Sequence, residues 1–570
     1  MNISVSIISP SRALSLFDRQ GIEKCRQSVP RTTCIPCGRN KRTKTFSSAT
    51  DSPSTSTSWN DYSSWPSEAA RRTAFGTTPG EIVNHRVSEI RGSLPSWLHG
   101  TYYRNGPGTY ENGTDGGMLH LFDGYGMVVK IDMDGRTNEA TISNAFVKSK
   151  AYTRYKETGV MEWREFGTPK VMGGVLEEIR NVVRTIVGSI GIGQGVTDNA
   201  SVHVIPRGTE MWAMTETVPG TYRIDPETLE TMGRVEYDDS MEGTLTTAHP
   251  HVLSDGRLVN ILSEPGKGFT VYVCDGNVRE KIAYVPHARP LSPAWIHDFP
   301  GTDSCIVIPE MPLYFNLSAL TLGTNASHLF LDWIPEDGTT LHIVDVASGS
   351  VHRVKDVPPC FVFHWANAFT SGDDGQYLNI DATVYDDPDI VKYLLLDSVR
   401  AGPDAGRELP PSALRRLVLE RLPSGDFSLV RSKDDAWHRL SNDENRDFGN
   451  FTDFPTVNPS KKGKQHRYVW VSAAQRPTNV TNALVKFDTE TSHALRWHEP
   501  GSLPGEPCFV QNPSSDGEDD GVILSMLIEG DSGASSVLVL DAKSMTELAR
   551  IPCPIPITSG FHGSFVSHSF

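Results

Sequence analysis

From about residue 95 onward the chain is written in short apolar-alternating runs, each closed by a turn signal. The runs include MVVKIDMDGRT, VHVIPRGTEMWAM, RLVNILSEPGKGFTVYVCDGNV, TTLHIVDVASGSVHRV, LVKFDTETSHALRW and GVILSMLIEGDSGASSVLVLDAKSMTELARI. Alternation at period two is the mark of a strand with one face turned to a core. The Asp-Gly and Asp-Thr-Glu-Thr segments sit where antiparallel hairpins need their turns. A length of 570 residues would by itself suggest several domains. Many hairpins without a strict repeat predict instead one large all-β domain, either a propeller with degenerate blades or a large sandwich. Periodicity leaves that choice open.

Four of the chain's 18 histidines stand in separate strand-like segments: His249 in TTAHPHV, His297 in AWIHDF, His364 in FVFHWANAF and His562 in GFHGSFV. They are 48, 67 and 198 residues apart, so only a closed tertiary fold brings them together. A histidine in an apolar strand is ordinarily a hydrogen-bonded core residue. Converged, the four would form an all-imidazole centre, a donor set suited to iron, copper, zinc or nickel. The absence of thiolates argues against a structural zinc or an iron–sulfur cluster.

These segments belong to an ordered series: GTYYRNGPG (100–108), HLFDGYGMV (120–128), TAHPH (247–251), HDF (297–299) with IVIPE (306–310), FHWANAF (363–369), GEPCFV (505–510) with EDDG (518–521), and FHG (561–563). In this order, from about residue 80 to about 567, the chain resembles the carotenoid cleavage dioxygenase family. The resemblance implies an all-β fold, a seven-bladed β-propeller capped by loops and short helices, spanning residues 59–570 as a single domain. It implies a non-haem ferrous ion, Fe(2+), held on the propeller axis by His249, His297, His364 and His562. In TAHPH the period-two geometry leaves His249 and His251 on the same side, and the resemblance assigns His249.

A ligating imidazole normally gives its other N–H to a carboxylate or carbonyl, which fixes its tautomer. The resemblance implies three such carboxylates, Glu216, Asp453 and Glu506. At Asp453, in FTDFPTVNP, many relatives carry glutamate; aspartate is one methylene shorter, so its histidine must come closer or a water must bridge. Phe363, Trp365, Phe369 and Trp295 flank the ligand positions and are candidates for an aromatic wall around a flat polyene. Arg104-Asn105-Gly106-Pro107-Gly108 reads as a glycine-rich turn without the Gly-Lys-Ser/Thr of a phosphate loop. Phe122-Asp123-Gly124 and Glu518-Asp519-Asp520-Gly521 read as turns as well.

The implied activity is a dioxygenase that cleaves one conjugated double bond of a carotenoid or apocarotenoid with O₂, giving two carbonyl products. Among plant members the chain resembles the zaxinone synthase group, which cuts the 13,14 bond of an apo-10′-carotenal to a C18 ketone, and next the carlactone synthase group of the strigolactone pathway. A non-cleaving isomerase or a carotenoid-binding propeller on the same scaffold is the other reading. No serine-hydrolase signature is present.

Charge divides the chain. Residues 1–50 hold nine Lys/Arg against two Asp/Glu, while the whole carries −16, so the body is strongly acidic and a poor match for nucleic acid. Residues 1–58, rich in Ser, Thr and Arg and without a continuous apolar core, read as an organelle transit peptide or disordered leader, and the family resemblance implies that the organelle is the chloroplast, a plastid. No apolar run reaches the roughly 18 residues that span a bilayer. The stretch 171–190 has helical spacing and reads either as a helix packed on the propeller or as an amphipathic helix in the membrane interface. The family pattern favours the second, and Met311–Leu322 is a candidate to extend the same patch. The protein is expected to be soluble or peripheral to the plastid membrane.

Overall fold

The alternating runs fold into antiparallel meanders, and the meanders into the blades of a seven-bladed β-propeller. The computed structural model describes residues 62–169, 196–322, 326–441 and 450–568. Blade 1 holds the strands His99–Thr109, Tyr125–Asp134 and Glu139–Phe146, with Ile82–Arg86 outside them. Blades 2 to 6 follow in chain order, with edge strands His203–Arg207, His251–Val252, Cys305–Glu310, Phe361–Ser371 and Thr452–Thr456. Blade 7 is built on Gly521–Ile528, Ser535–Asp541 and Glu547–Pro552.

The ring closes twice over. The last strand, Gly563–Ser567, returns to blade 1 and pairs with His99–Thr109, from Arg104 opposite Gly563 to Gly100 opposite Ser567. Arg91 and Gly92, from the other end of the chain, add a short edge to blade 7 opposite Arg550 and Ala549. No sheet is left to end the ring, which is how a propeller limits exposed edges.

Period-two alternation explains why these strands are apolar on both faces. Val204 points towards blade 1 and joins Tyr103 and Val128, while its neighbour Ile205 points towards blade 3 and joins Leu258 and Leu262. Each remaining pair of neighbouring blades has a core of the same kind, such as Ile308 with Val271 between blades 3 and 4, and Phe487 with Leu414 between blades 5 and 6. The seam between blades 7 and 1 is packed by Ile131, Ile142, Leu524 and Val537. Burial of a side chain of this size stabilises by about 1.5–3 kcal/mol, and seven such seams hold the ring without disulfides. The five cysteines among the described residues are free.

Two expectations change. The segment Arg104–Gly108 is not a turn: it lies inside the eleven-residue strand His99–Thr109, buried from Gly100 to the end. Its glycines serve close approach, since a Cβ on Gly106 would stand 2.5 Å from the Gly560 Cα. In Met311–Leu322, the residues Met311, Leu313, Tyr314 and Ala319 are buried in the core, and Leu313–Phe315 pairs with Leu331–Trp333. These four pack inwards, while Phe315 and Leu320 stay partly exposed. The helical stretch 171–190 and the leader 1–58 lie outside the described residues. No helix among the described residues is long and apolar enough to cross a membrane.

Phe122-Asp123-Gly124 is a turn, with Asp123 N–H donating to the His120 carbonyl at 3.1 Å. Glu518–Gly521 closes the hairpin into Gly521–Ile528 and also joins blades: the Glu518 carboxylate accepts the N–H groups of Arg467 and Tyr468, and Asp519 pairs with Lys486.

Candidate metal centre

Each of the seven blades contributes one side chain to a central cluster. Blades 1, 3, 4 and 5 send His562, His249, His297 and His364, which converge; blades 2, 7 and 6 send Glu216, Glu506 and Asp453, which stand behind three of them. His364 lies within an edge strand, and the other three histidines stand in the segments that lead into one.

Local chemistry holds each one. The backbone before His562 is tied to blade 1 by Phe561 N–H to the Asn105 carbonyl at 2.8 Å and Asn105 N–H to the His562 carbonyl at 2.9 Å. The His249 loop is fixed by Thr247, whose hydroxyl donates to Asn260 Oδ1 at 2.9 Å while Asn260 Nδ2 returns a bond to the Thr247 carbonyl at 3.0 Å. His364 lies within the strand Phe361–Ser371, between bulges that interrupt its pairing with Tyr377–Tyr385.

One nitrogen from each of the four imidazoles falls within 4.8 Å of all the others. His364 Nε2 is 3.2 Å from His297 Nε2 and 3.1 Å from His562 Nε2. Behind them, His364 Nδ1 meets Asp453 Oδ1 at 2.7 Å, His562 Nδ1 meets Glu506 Oε1 at 2.7 Å, and His297 Nδ1 meets Glu216 Oε1. A carboxylate only accepts, so each of these Nδ1 atoms carries a proton and each ring turns its Nε2 to the centre. Three Nε2 lone pairs at such separations repel unless a proton or a metal cation lies among them. His249 has no carboxylate behind it, and its buried Nε2 has no hydrogen-bond partner at all. Four imidazole nitrogens converging in this way are a donor set that fits a metal ion.

The electrostatics agree. Burial pushes the His249 and His562 imidazoles well below their usual range, and the neighbouring imidazoles push the same way, so both stay neutral. At His364 burial works against charging, but the adjacent Asp453 carboxylate outweighs it and raises the ring. Burial would push Asp453 up, but His364 holds it down as a carboxylate.

Each carboxylate has a second bond that holds it in turn. Glu216 Oε2 accepts the Trp295 indole N–H at 2.7 Å, Glu506 Oε2 accepts from the Arg104 guanidinium, and Asp453 Oδ2 accepts the Tyr385 hydroxyl at 2.6 Å. Arg104, Tyr385 and Trp295's role as a donor are not visible in the motifs. Nor is His203, whose Nδ1 lies 2.8 Å from the Ala248 carbonyl and whose ring packs 5.3 Å from His249. His251 is buried away from the centre, beside Gly301, and burial pushes it down to about 4.

An aromatic wall lies to one side. Phe363 is 5.4 Å from His297, and Phe122, Phe166, Phe330 and Phe561 continue the wall ring to ring with Trp295. Two of the expected members are elsewhere. Trp365 gives its indole N–H to the Asp298 carbonyl and faces Trp437, and Phe369 packs on His466 beneath Arg416. The bulges after Val362 and Trp365 change the alternation, which turns these two rings into the core. Phe454 was missed as well: it follows Asp453 and stacks on His364 at 4.9 Å.

Comparison with known proteins agrees with this geometry. A sequence-family model described as retinal pigment epithelial membrane protein matches residues 76–567. The chain is 34% identical over 491 residues to carotenoid cleavage dioxygenase 8, chloroplastic, of Arabidopsis thaliana, covering 84% of this chain and 83% of that one. It is 32% identical over 487 residues to carotenoid cleavage dioxygenase 8 homolog A, chloroplastic, of Oryza sativa subsp. japonica, covering 84% of both. Rat β,β-carotene 15,15′-dioxygenase is 29% identical over 537 residues, covering 86% of this chain and 91% of the rat protein. Among solved structures, the apocarotenoid oxygenase of Synechocystis superposes with a TM-score of 0.70 over 89% of this chain and 100% of its own, at 23% identity, and so shares the fold. With a family match over most of its length and relatives that are themselves carotenoid oxygenases, the chain belongs to the retinal pigment epithelial membrane protein and carotenoid cleavage dioxygenase family and is a carotenoid-cleaving dioxygenase.

Proposed function

We propose that His249, His297, His364 and His562 hold a ferrous ion and that the protein uses it, with O₂, to cut one conjugated double bond of an apocarotenoid into two carbonyl products. The observation that carries this reading is the convergence of one nitrogen from each of four imidazoles within 4.8 Å of one another. Ferrous iron supplies the chemistry that no side chain here possesses, the activation of dioxygen towards an electron-rich C=C bond. Four imidazole ligands would hold the ion without cancelling its charge. Glu216, Asp453 and Glu506 hold three of the rings in the tautomer that presents Nε2. The wall of Phe122, Phe166, Phe330 and Phe363 offers flat apolar surfaces to a polyene and keeps water from it.

The first reading of the cut is the 13,14 bond of an apo-10′-carotenal, giving a C18 ketone, as the resemblance to the zaxinone synthase group implies. The similarity to plant enzymes named carotenoid cleavage dioxygenase 8 favours keeping a second, a carlactone synthase-type cleavage. Mass spectrometry of the products from apocarotenals of graded chain length decides between them. A C18 ketone from apo-10′-carotenal supports the first reading; a carlactone-type product supports the second; unaltered or merely isomerised substrate contradicts both.

The chloroplast names of the plant relatives and the basic, Ser/Thr-rich composition of residues 1–58 support a plastid location with that segment as the transit peptide. The insolubility of carotenoids in water supports peripheral attachment to a plastid membrane through the apolar stretch 171–190. Import of a fusion carrying residues 1–58 into isolated chloroplasts tests the first, and sedimentation with galactolipid vesicles tests the second.

A further inference from the structure

Tyr385 is 1% exposed, at the end of the strand Tyr377–Tyr385 in blade 5, and its ring is packed among Phe361, Phe363 and Phe451. Its hydroxyl nevertheless has one directed bond, 2.6 Å to Asp453 Oδ2. Burial, with the Asp453 carboxylate beside it, holds the phenol protonated, so it is a donor. The other oxygen of Asp453 is crowded: Oδ1 accepts from His364 Nδ1 at 2.7 Å, from Phe454 N–H at 2.8 Å and from the Thr383 hydroxyl at 3.2 Å. Thr383 is two residues before Tyr385 on the same strand and therefore on the same face.

Asp453 reaches His364 directly despite its short side chain because the backbone comes to meet the ring. The ladder jumps from Asp453 opposite Ser472 to Thr456 opposite Trp470, a bulge in which Phe454 takes a φ of 49°. The bulge carries the carboxylate to His364 Nδ1 and lays the Phe454 ring against the imidazole face. What the bulge leaves undetermined is the turn of the carboxylate about its last bond, a soft two-fold torsion. The bonds on Oδ1 hold one side of that torsion, and the Tyr385 hydroxyl on Oδ2 holds the other.

We propose that Tyr385 is a positioning residue for the metal centre: by holding Asp453 Oδ2 it orients Oδ1 on His364 Nδ1, and so sets the direction in which His364 presents its lone pair. This rests on reading the four histidines as a metal site.

The test is anaerobic titration of the full-length protein with Co(II), using chelator competition for affinity and the visible absorption bands for geometry. Wild type should bind one ion per chain. Tyr385→Phe, which keeps the ring and deletes the hydroxyl, should weaken binding by about tenfold, the lower end of the usual effect of outer partners, and should alter the band pattern. Asp453→Glu in the Tyr385→Phe background should recover affinity, because the longer carboxylate fills the space left by the hydroxyl. Asp453→Glu alone should weaken binding relative to wild type, because the longer side chain presses on the intact tyrosine. Thr383→Val should weaken binding in the same direction but less, which preserves a test if Tyr385→Phe does not fold. Wild-type affinity and spectrum in both Tyr385→Phe and Thr383→Val would overturn the proposal and leave Tyr385 a packing residue. Failure of wild type itself to bind the ion would overturn the metal reading, and the proposal with it.

Discussion

Arg104 and Glu506 form an ion pair across the seam where the propeller closes, the guanidinium from blade 1 and the carboxylate from blade 7. The arginine side chain is 1% exposed, and Glu506 is the residue that also receives His562 Nδ1. One contact thus joins ring closure to the metal centre. Breaking a buried pair by removing one partner costs about 3–5 kcal/mol. Arg104→Met should lower the urea midpoint accordingly and reduce bound iron; unchanged iron content in the folded variant would separate the two roles.

Glu216→Gln keeps the shape and an acceptor oxygen but removes the charge behind His297, and the amide can turn its NH₂ towards the imidazole. Iron affinity should fall about 10- to 100-fold, measured by anaerobic chelator competition, with little change in the melting curve of the metal-free protein. An equal loss of stability and affinity would show that Glu216 only supports the fold.

At Gly106 a Cβ would meet Gly560 Cα at 2.5 Å and Phe561 N at 2.9 Å, both backbone atoms of the segment leading into His562. Gly106→Ala should destabilise by about 1–3 kcal/mol, the usual cost of overpacking, and displace His562. Gly116→Ala, where a Cβ meets nothing within 4 Å, is the control and should melt like wild type.

How much of this was legible in the residues alone differs from feature to feature. The four histidines and the three carboxylates come together in space, the grouping that the family resemblance implies. Choosing His249 over His251 was beyond period two, since an extended segment puts both on one side; in the structure the chain bends at Ala248 and only His251 enters the strand His251–Val252. Gly106 and Gly108 looked like turn residues, because glycine permits both tight turns and close strand packing, and only the returning chain at Gly560 shows which. Trp365 and Phe369 were misplaced by bulges that no alternation rule anticipates. Arg104 reaches a partner 402 residues away, Tyr385 one 68 residues away in the next blade, and Phe166 acts from a loop without a motif, so their partners appear only once the blades are packed.

Phe166 packs against Phe122, Trp295 and Phe330 and is half-buried, in the wall rather than at the metal. Phe166→Leu should leave iron content unchanged and shift the ratio of kcat/KM between long and short apocarotenals by about tenfold, the scale on which an apolar pocket discriminates. A uniform fall for all substrates would place Phe166 in the fold instead.

The most direct test of the account is a brief incubation of the iron-loaded protein with an apocarotenal under ¹⁸O₂ in ordinary water, followed by mass spectrometry before the carbonyls exchange. Cleavage at the four-histidine centre predicts one ¹⁸O in each of the two carbonyl products, and no products from His364→Ala. Products with no label, or the same yield from His364→Ala, would contradict it.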